Sequence, residues 1–342
     1  MSVLQNIVEK FKPRPTDVNG VDFDIEETKL LRIRKNGSEL NIVGVDTLPA
    51  FDFSAKNFQK TSVTIPLAIR SNYAAICLNV PGTSLKLLTT PGAIDAAFDE
   101  KLARNLGLPE DTTDRLSYRV LAQGSGRSES RVLAVGLPEP ESTNCVSLFS
   151  SGLPAPWRFE ASPVATLSAF EAGPVNAGEH ETIGFIDFSA RACGFSIFHK
   201  KSLVLLRRFD LGMEKVFNKI TTSLNVDMAT ASNILADEAF DITDLLQDIL
   251  QPLFSQLVVS REFIERRDSC SVQAIYLSGA FSSSDTAIQL IEHKLTIPVV
   301  PWNPFDIPNL SLPSPLPPEL ERQPWRFAAA LGAALATFEE DE

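Results

Sequence analysis

Two aspartates stand at the ends of matching apolar runs. Gly20-Val21-Asp22-Phe23-Asp24 and Ile186-Asp187-Phe188-Ser189 each carry an apolar segment into an Asp-Phe pair and then into a polar turn. An acid in that place can cap the turn, or it can order water around a divalent cation. The turn beyond it offers backbone N–H groups to an anion. The first unit is crowded, with Asp22, Asp24, Glu26 and Glu27 close together. That cluster can be a solvated turn, a degenerate nucleotide and magnesium site, or a dedicated calcium or magnesium site. The last reading lacks the glycine-bearing spacing of a calcium loop. A third turn, Ser278-Gly279-Ala280, reads as a tight strand-to-helix junction at which glycine lets another group come close to the backbone.

Other chemistries find little support. Cys77, Cys145, Cys193 and Cys270 lie far apart and form no C-x-x-C pair, which argues against zinc and for a reducing compartment. His180, His199 and His293 show no ligand spacing. No serine or cysteine comes with an elbow motif or a paired histidine, so nucleophilic catalysis has no candidate. The formal net charge of -12 repels nucleic acid and anionic lipid and attracts a basic peptide. Ser2 to Phe11 has no unbroken apolar run of a secretory signal, and no stretch approaches the ~18 apolar residues of a membrane span. Val3, Leu4, Ile7, Val8 and Phe11 fall at helical spacing, which suits packing on the domain, on a partner or on a membrane surface.

The elements that would position these residues repeat. Strands are expected through 19–53, with a hairpin at Lys35-Asn36-Gly37, and again at Ala74 to Val80. A small α/β unit follows: a strand at Leu85 to Leu88, a helix from Asp95 to Leu106 ending at Gly107, and strands Tyr118 to Ala122 and Val132 to Val135 around Gly124-Ser125-Gly126. At Thr182 the opening theme returns, with strands at 183–188, 194–198 and 203–206, which indicates an internal duplication of halves near 17–160 and 181–338. Helical sequence runs from about Met213 to Arg267, with Leu246, Ile249, Leu250, Leu253 and Leu257 on one stripe. Strand (Ala274 to Leu277), helix (about Ser284 to Leu295), strand (Val299-Val300), a proline-rich connector (Pro301 to Pro324) and a helix (Trp325 to Phe338) complete the chain. At 342 residues, with 44% hydrophobic and 22% charged residues, two packed lobes are the natural expectation.

The order of motifs resembles the PilM branch of the actin-like ATPases over nearly the whole chain. Asn79-Val80-Pro81-Gly82-Thr83-Ser84 resembles the strand that enters its inserted subdomain, and Ser260-Arg261-Glu262-Phe263 its long helix. Thr296-Ile297-Pro298-Val299 through Asn303-Pro304-Phe305 resembles its "G-I-P-V … N-P-F" segment, and Arg326 to Leu335 its closing helix. The resemblance implies an α/β, actin-like (ribonuclease H-like) fold with two pseudo-symmetric lobes and an inserted small α/β subdomain. The expected division is 1–16 as an extension, 17–80 with 151–180 as the first subdomain and 81–150 as the insertion. Residues 181–206 with 271–342 form the second subdomain and 207–270 its helical part.

It further implies a nucleotide clamp at Asp22, Asp24, Thr28, Lys29, Asp187 and Ser189, an adenosine turn at Gly279 and Ala280, and magnesium near Asp22 and Asp187. The implied role is a cytoplasmic scaffold for a type IV pilus-like, or type II secretion-like, inner-membrane complex. It would bind the N-terminal tail of a PilN-like membrane protein and other platform proteins, and reach the membrane through them. An active actin-like ATPase and an FtsA-like filament former are the alternatives; FtsA ends in a membrane-binding helix, whereas this chain ends in Glu339-Glu340-Asp341-Glu342.

The chain departs from the pattern at the clamps. Asp24 and Ser189 stand where the family has glycine, only Gly279 remains of the adenosine glycines, and Ala231-Ser232-Asn233-Ile234-Leu235 lacks the acid and lysine of "A-E-x-L-K". A carboxylate about 4 Å from a phosphate charge costs roughly 4 kcal/mol at an effective dielectric of about 20, on the order of a thousandfold in affinity. No cofactor is therefore expected, and ATP with magnesium would bind weakly.

Overall fold

The computed structural model describes residues 14–54, 58, 62–125, 128–149, 152–236 and 240–339. The apolar N-terminal spacing, Gly126 and the tail beyond Glu339 lie outside the described residues. From Asp17 the chain runs as β1 (Asp17–Phe23), β2 (Glu27–Asn36) and β3 (Glu39–Pro49), with the expected turn at Gly37, and then β4 (Tyr73–Leu78). The inserted unit comprises β5 (Ser84–Pro91), α1 (Ala96–Leu106), β6 (Arg115–Ala122), β7 (Glu129–Leu137) and α2 (Glu139–Ser147). Asp95 caps α1 by accepting from the Ala97 amide, and Gly107 closes the helix in the left-handed region, as the sequence signals predict. The chain returns through β8 (Ala155–Ala161), α3 (Ser162–Phe170) and a short π-helical turn.

The second half opens with β9 (Thr182–Phe188), β10 (Cys193–His199) and β11 (Ser202–Phe209). The helical stretch breaks into α4 (Met213–Leu224), α5 (Met228–Ala236) and α6 (Thr243–Asp268). Asn225 stops α4 in the left-handed region, and the carboxylates of Asp227 and Asp241 accept from the Thr230 and Thr243 amides to start the next two. Then come β12 (Ala274–Ser278), α7 (Asp285–Leu295), β13 (Val299–Pro301), β14 (Leu310–Ser311), α8 (Pro318–Arg322) and α9 (Ala328–Ala336), the last preceded by a 3₁₀ turn.

The duplication is plain in the pairing. One sheet has the order β14-β3-β2-β1-β4-β8, and the other β11-β10-β9-β12-β13. In both, three antiparallel strands are followed by two parallel ones, so β1 matches β9, β2 matches β10 and β4 matches β12. The insertions differ: the first lobe carries the three-stranded sheet β5-β7-β6 between β4 and β8, and the second carries α4 to α6 between β11 and β12. β1 is buried on both faces, as a central strand covered on two sides must be.

The proline-rich connector is more than a spacer. Phe305 and Leu320 bury against Ile33 and Ile42, and β14 adds a parallel strand beside Leu40. The terminal helix begins at Ala328 and not at Trp325, because Pro324–Phe327 forms the 3₁₀ turn.

The lobes share their closing helices. α9, from the second half, lies against β1 and β4 of the first lobe. From α3 of the first half, Phe170 stacks on Phe185 of β9 with ring centres 4.1 Å apart. Where α3 and α9 cross, a side chain on Gly332 would place its Cβ 1.7 Å from the carbonyl oxygen of Ala165, so only glycine permits that approach. On the inserted sheet, α1 covers one face through Phe98, Leu102 and Leu106. Leu87, Leu121 and Leu133 turn toward the second lobe, where the Arg131 guanidinium donates to the Leu203 carbonyl at 3.3 Å.

Candidate functional site

Between the lobes lies a cleft of about 480 Å³. Asp22, Asp24, Lys29, Asp187, Ser189, Gly279 and Ala280 all line it, so residues far apart in the chain meet on one surface. Ser232, from the segment compared with "A-E-x-L-K", lines it as well, while Ala231, Ile234 and Leu235 are buried in the core. Thr28 is the exception. It pairs with Phe23, on the opposite face of β2 from Lys29, and its hydroxyl donates to the Pro49 carbonyl at 3.4 Å. It belongs to the fold and not to the cleft.

The ladder positions make the two aspartates equivalent. Asp22 on β1 sits between Lys29 of β2 and Cys77 of β4, and Asp187 on β9 sits between Gly194 of β10 and Ser278 of β12. Asp22 is 4% exposed. Its carboxylate accepts from the Ser162 hydroxyl at 2.6 Å, with Cys77 Sγ at 3.5 Å. Ser162 opens α3, whose N-terminal dipole favours a negative charge there. Lys29 Nζ stands 4.0 Å from Asp22 and 2.9 Å from Asp24.

The charges of the cleft are tuned by burial first. Burial pushes the Asp22 carboxyl upward, Lys29 opposes this, and the net direction is up. Burial also works against the Lys29 ammonium, yet Asp22 and Asp24 together hold its pKa above the ordinary lysine value. Asp187 is pushed up to about 6 by burial, with the Ser278 hydroxyl opposing and the charge of Asp24 adding to the rise. Glu26 rises in the same way, through burial and then Asp24.

Of the four acids Glu26 is exposed, while the other three are engaged by the protein. Glu27 accepts from the Arg326 guanidinium just before α9, Asp22 is buried, and Asp24 is bonded on all sides. Its carboxylate accepts from the Ile25 amide at 2.8 Å, Asn79 Nδ2 at 3.1 Å and Lys29 Nζ at 2.9 Å. In the second loop the Ser189 amide donates to the Ala192 carbonyl at 3.0 Å, and the Ser189 hydroxyl also donates to that carbonyl. Among the described residues no group of three or more His, Cys, Asp or Glu is arranged to hold a metal ion. Lys29 supplies the positive charge beside Asp22.

The third turn keeps its shape. Gly279 has φ +92°, and a Cβ there would come within 2.3 Å of the Phe188 carbonyl oxygen, so the turn presses directly on the loop that follows Asp187. On the far lip, Arg207 and Arg208 line the cleft, and Arg208 donates to the Thr83 carbonyl of the inserted unit at 3.5 Å. Sequence reading missed Ser162, and named Asn79 and Ser278 as parts of motifs but not as residues of the site. Ser278 and Asn79 were within reach of it, since each ends, or directly follows, the strand parallel to an aspartate strand.

A sequence model of the family described as Type IV pilus assembly protein PilM matches residues 165–338. The solved structure of a PilM-PilN type IV pilus biogenesis complex is similar to 96% of this chain and 100% of that one, at 18% identity and a TM-score of 0.75. A Bacteroides thetaiotaomicron protein with actin-like ATPase fold and unknown function is 10% identical over 84% of this chain and 91% of its own, with a TM-score of 0.48. The ethanolamine utilization protein EutJ from Carboxydothermus hydrogenoformans is 12% identical over 95% and 90%, with a TM-score of 0.43. No curated protein matches the sequence. The paired six- and five-stranded sheets with their inserted unit form the actin-like fold.

Proposed function

The chain belongs to the family of type IV pilus assembly protein PilM, and from that premise we propose that it is a non-catalytic scaffold of a pilus-like inner-membrane machine. It takes the N-terminal tail of a PilN-like membrane protein and works in the cytoplasm at the inner face of the membrane through that partner. Among the described residues no helix is long and apolar enough to cross a membrane. The net charge of -12 suits a basic tail.

The observation that carries the non-catalytic part is the internal use of the clamp. Phosphate needs free amides and positive charge. Here the Asp24 amide donates to Glu27 at 3.3 Å, the Ile25 amide to Asp24, and the Ser189 amide to Ala192. The ammonium of Lys29 is committed to two carboxylates, and the cleft's Arg207 and Arg208 lie on β11, in neither clamp loop. The residues present therefore fit ATP with magnesium poorly, and no hydrolytic step is assigned to them. Calorimetry of the full chain with a synthetic peptide of the partner's cytoplasmic tail should show saturable binding that is unchanged by ATP and magnesium. Absence of binding at high micromolar peptide would count against the scaffold role, and low-micromolar ATP affinity against the closed cleft.

A further inference from the structure

Asp24 is held more firmly than a loop acid requires. An aspartate that merely shapes a turn accepts one nearby backbone N–H. Asp24 accepts that bond from Ile25 at 2.8 Å, and it also takes Asn79 Nδ2 at 3.1 Å and Lys29 Nζ at 2.9 Å. Its three donors come from the turn itself, from the residue after β4 and from β2. A turn amide, a side-chain amide and an ammonium converging on one anionic group form the donor set that proteins assemble around a phosphate oxygen. The second loop has no such arrangement: Ser189 stands in the corresponding place without a charge, and its hydroxyl bonds its own loop. The Lys29 position is likewise taken by Gly194.

We infer that Asp24 is a tethered anion occupying an anion site built by Ile25, Asn79 and Lys29, and that removing it opens this site to the phosphate group of a free ligand. The first loop thus keeps the shape of an anion-loaded state whatever the nucleotide supply. The inference rests on the reading of the cleft as closed to nucleotide.

The test uses the full chain, its Asp24→Ala and Asp24→Gly variants and the double variant D24A/K29A, each titrated with pyrophosphate and with ATP and magnesium while melting is followed. Wild type should show neither heat nor a melting shift with pyrophosphate. D24A should melt lower on its own and recover with pyrophosphate, with affinity raised by about a hundredfold or more over wild type, as removal of one nearby like charge implies. D24A/K29A should lose that response. A folded D24A that ignores pyrophosphate, or a response that survives loss of Lys29, overturns the inference. Should D24A fail to fold, D24G, which also empties the site, decides: a pyrophosphate-dependent rise in melting supports the tethered anion and its absence refutes it. Wild type binding ATP at low micromolar sinks the closed-cleft reading itself, whereas silent wild type with silent variants sinks only the role of Asp24.

Discussion

At the end of β1 a buried aspartate faces Lys29; at the end of β9 its counterpart faces Gly194. The strands, the pairing and the Asp-Phe sequence are the same, yet the first carboxylate has an ammonium at 4.0 Å and the second is left with the Ser278 hydroxyl. The lesson is that duplication preserved the backbone while the electrostatics of the two ends diverged. The first end became a self-neutralised cluster. The second kept an acid that, among the described residues, pairs with no cation.

The sharpest way to break the comparison is Lys29→Ala. It strands two carboxylates in a buried cluster, and removing one partner of such a set costs about 3–5 kcal/mol; urea unfolding should show the loss. Asp187→Asn should go the other way. Because the folded pKa of Asp187, about 6, lies above its ordinary 3.8, the native state binds that proton more tightly. Its contribution therefore falls as the pH climbs from about 4 to about 6. At pH 7.5 the variant should gain about 1–3 kcal/mol and lose that slope. Glu160 and Glu171, both pushed to about 7 by burial, give a similar trend in each protein, so the difference between the two profiles is the readout.

Gly194→Lys would transplant the first lobe's solution into the second. A Cβ there meets Asp187 at 3.9 Å, an ordinary contact, so the first atom of the side chain fits, between Asp187 and Arg208 of the neighbouring strands. The Asp187 carboxyl, followed by NMR, should titrate lower, with about 1 kcal/mol of added stability at neutral pH. The smallest effect is expected from Arg326→Ala. Its partner Glu27 and Arg326 itself remain 20% and 30% exposed, and such a pair is worth about 1 kcal/mol or less. Melting in about 0.5 M salt should shrink that difference.

Much of this was legible beforehand, and the limits follow physical lines. The Asp-Phe repeats, the Asn36-Gly37 turn and the caps at Asp95 and Gly107 are local signals, and each strand or helix they mark is present. Asp22 and Asp187 stand out because the two halves repeat, and they do line one surface; Lys29, Ser189, Gly279 and Ala280 came from the family resemblance. Thr28 was misplaced because sequence adjacency to Lys29 says nothing about which face of a strand a residue occupies. The elements β8 and α3 went unread, and Ser162 with them, since Ala155–Phe170 has neither a clean alternation nor a strong helical stripe. The role of Lys29 as a neutralising partner required coordinates: nothing in Glu27-Thr28-Lys29 states which acid the ammonium will meet.

The crossing of α3 and α9 has one more consequence. Ala165, Gly332, Ala329 and Ala333 leave backbone against backbone there, with no long side chains interlocked. Each lobe is roofed by a helix that the other half of the chain supplies, so neither can detach. What ties them beside that small-residue crossing is aromatic: Phe170 lies flat on Phe185 and edge-on to Trp302, so any turn of one lobe about the axle must slide these rings past each other.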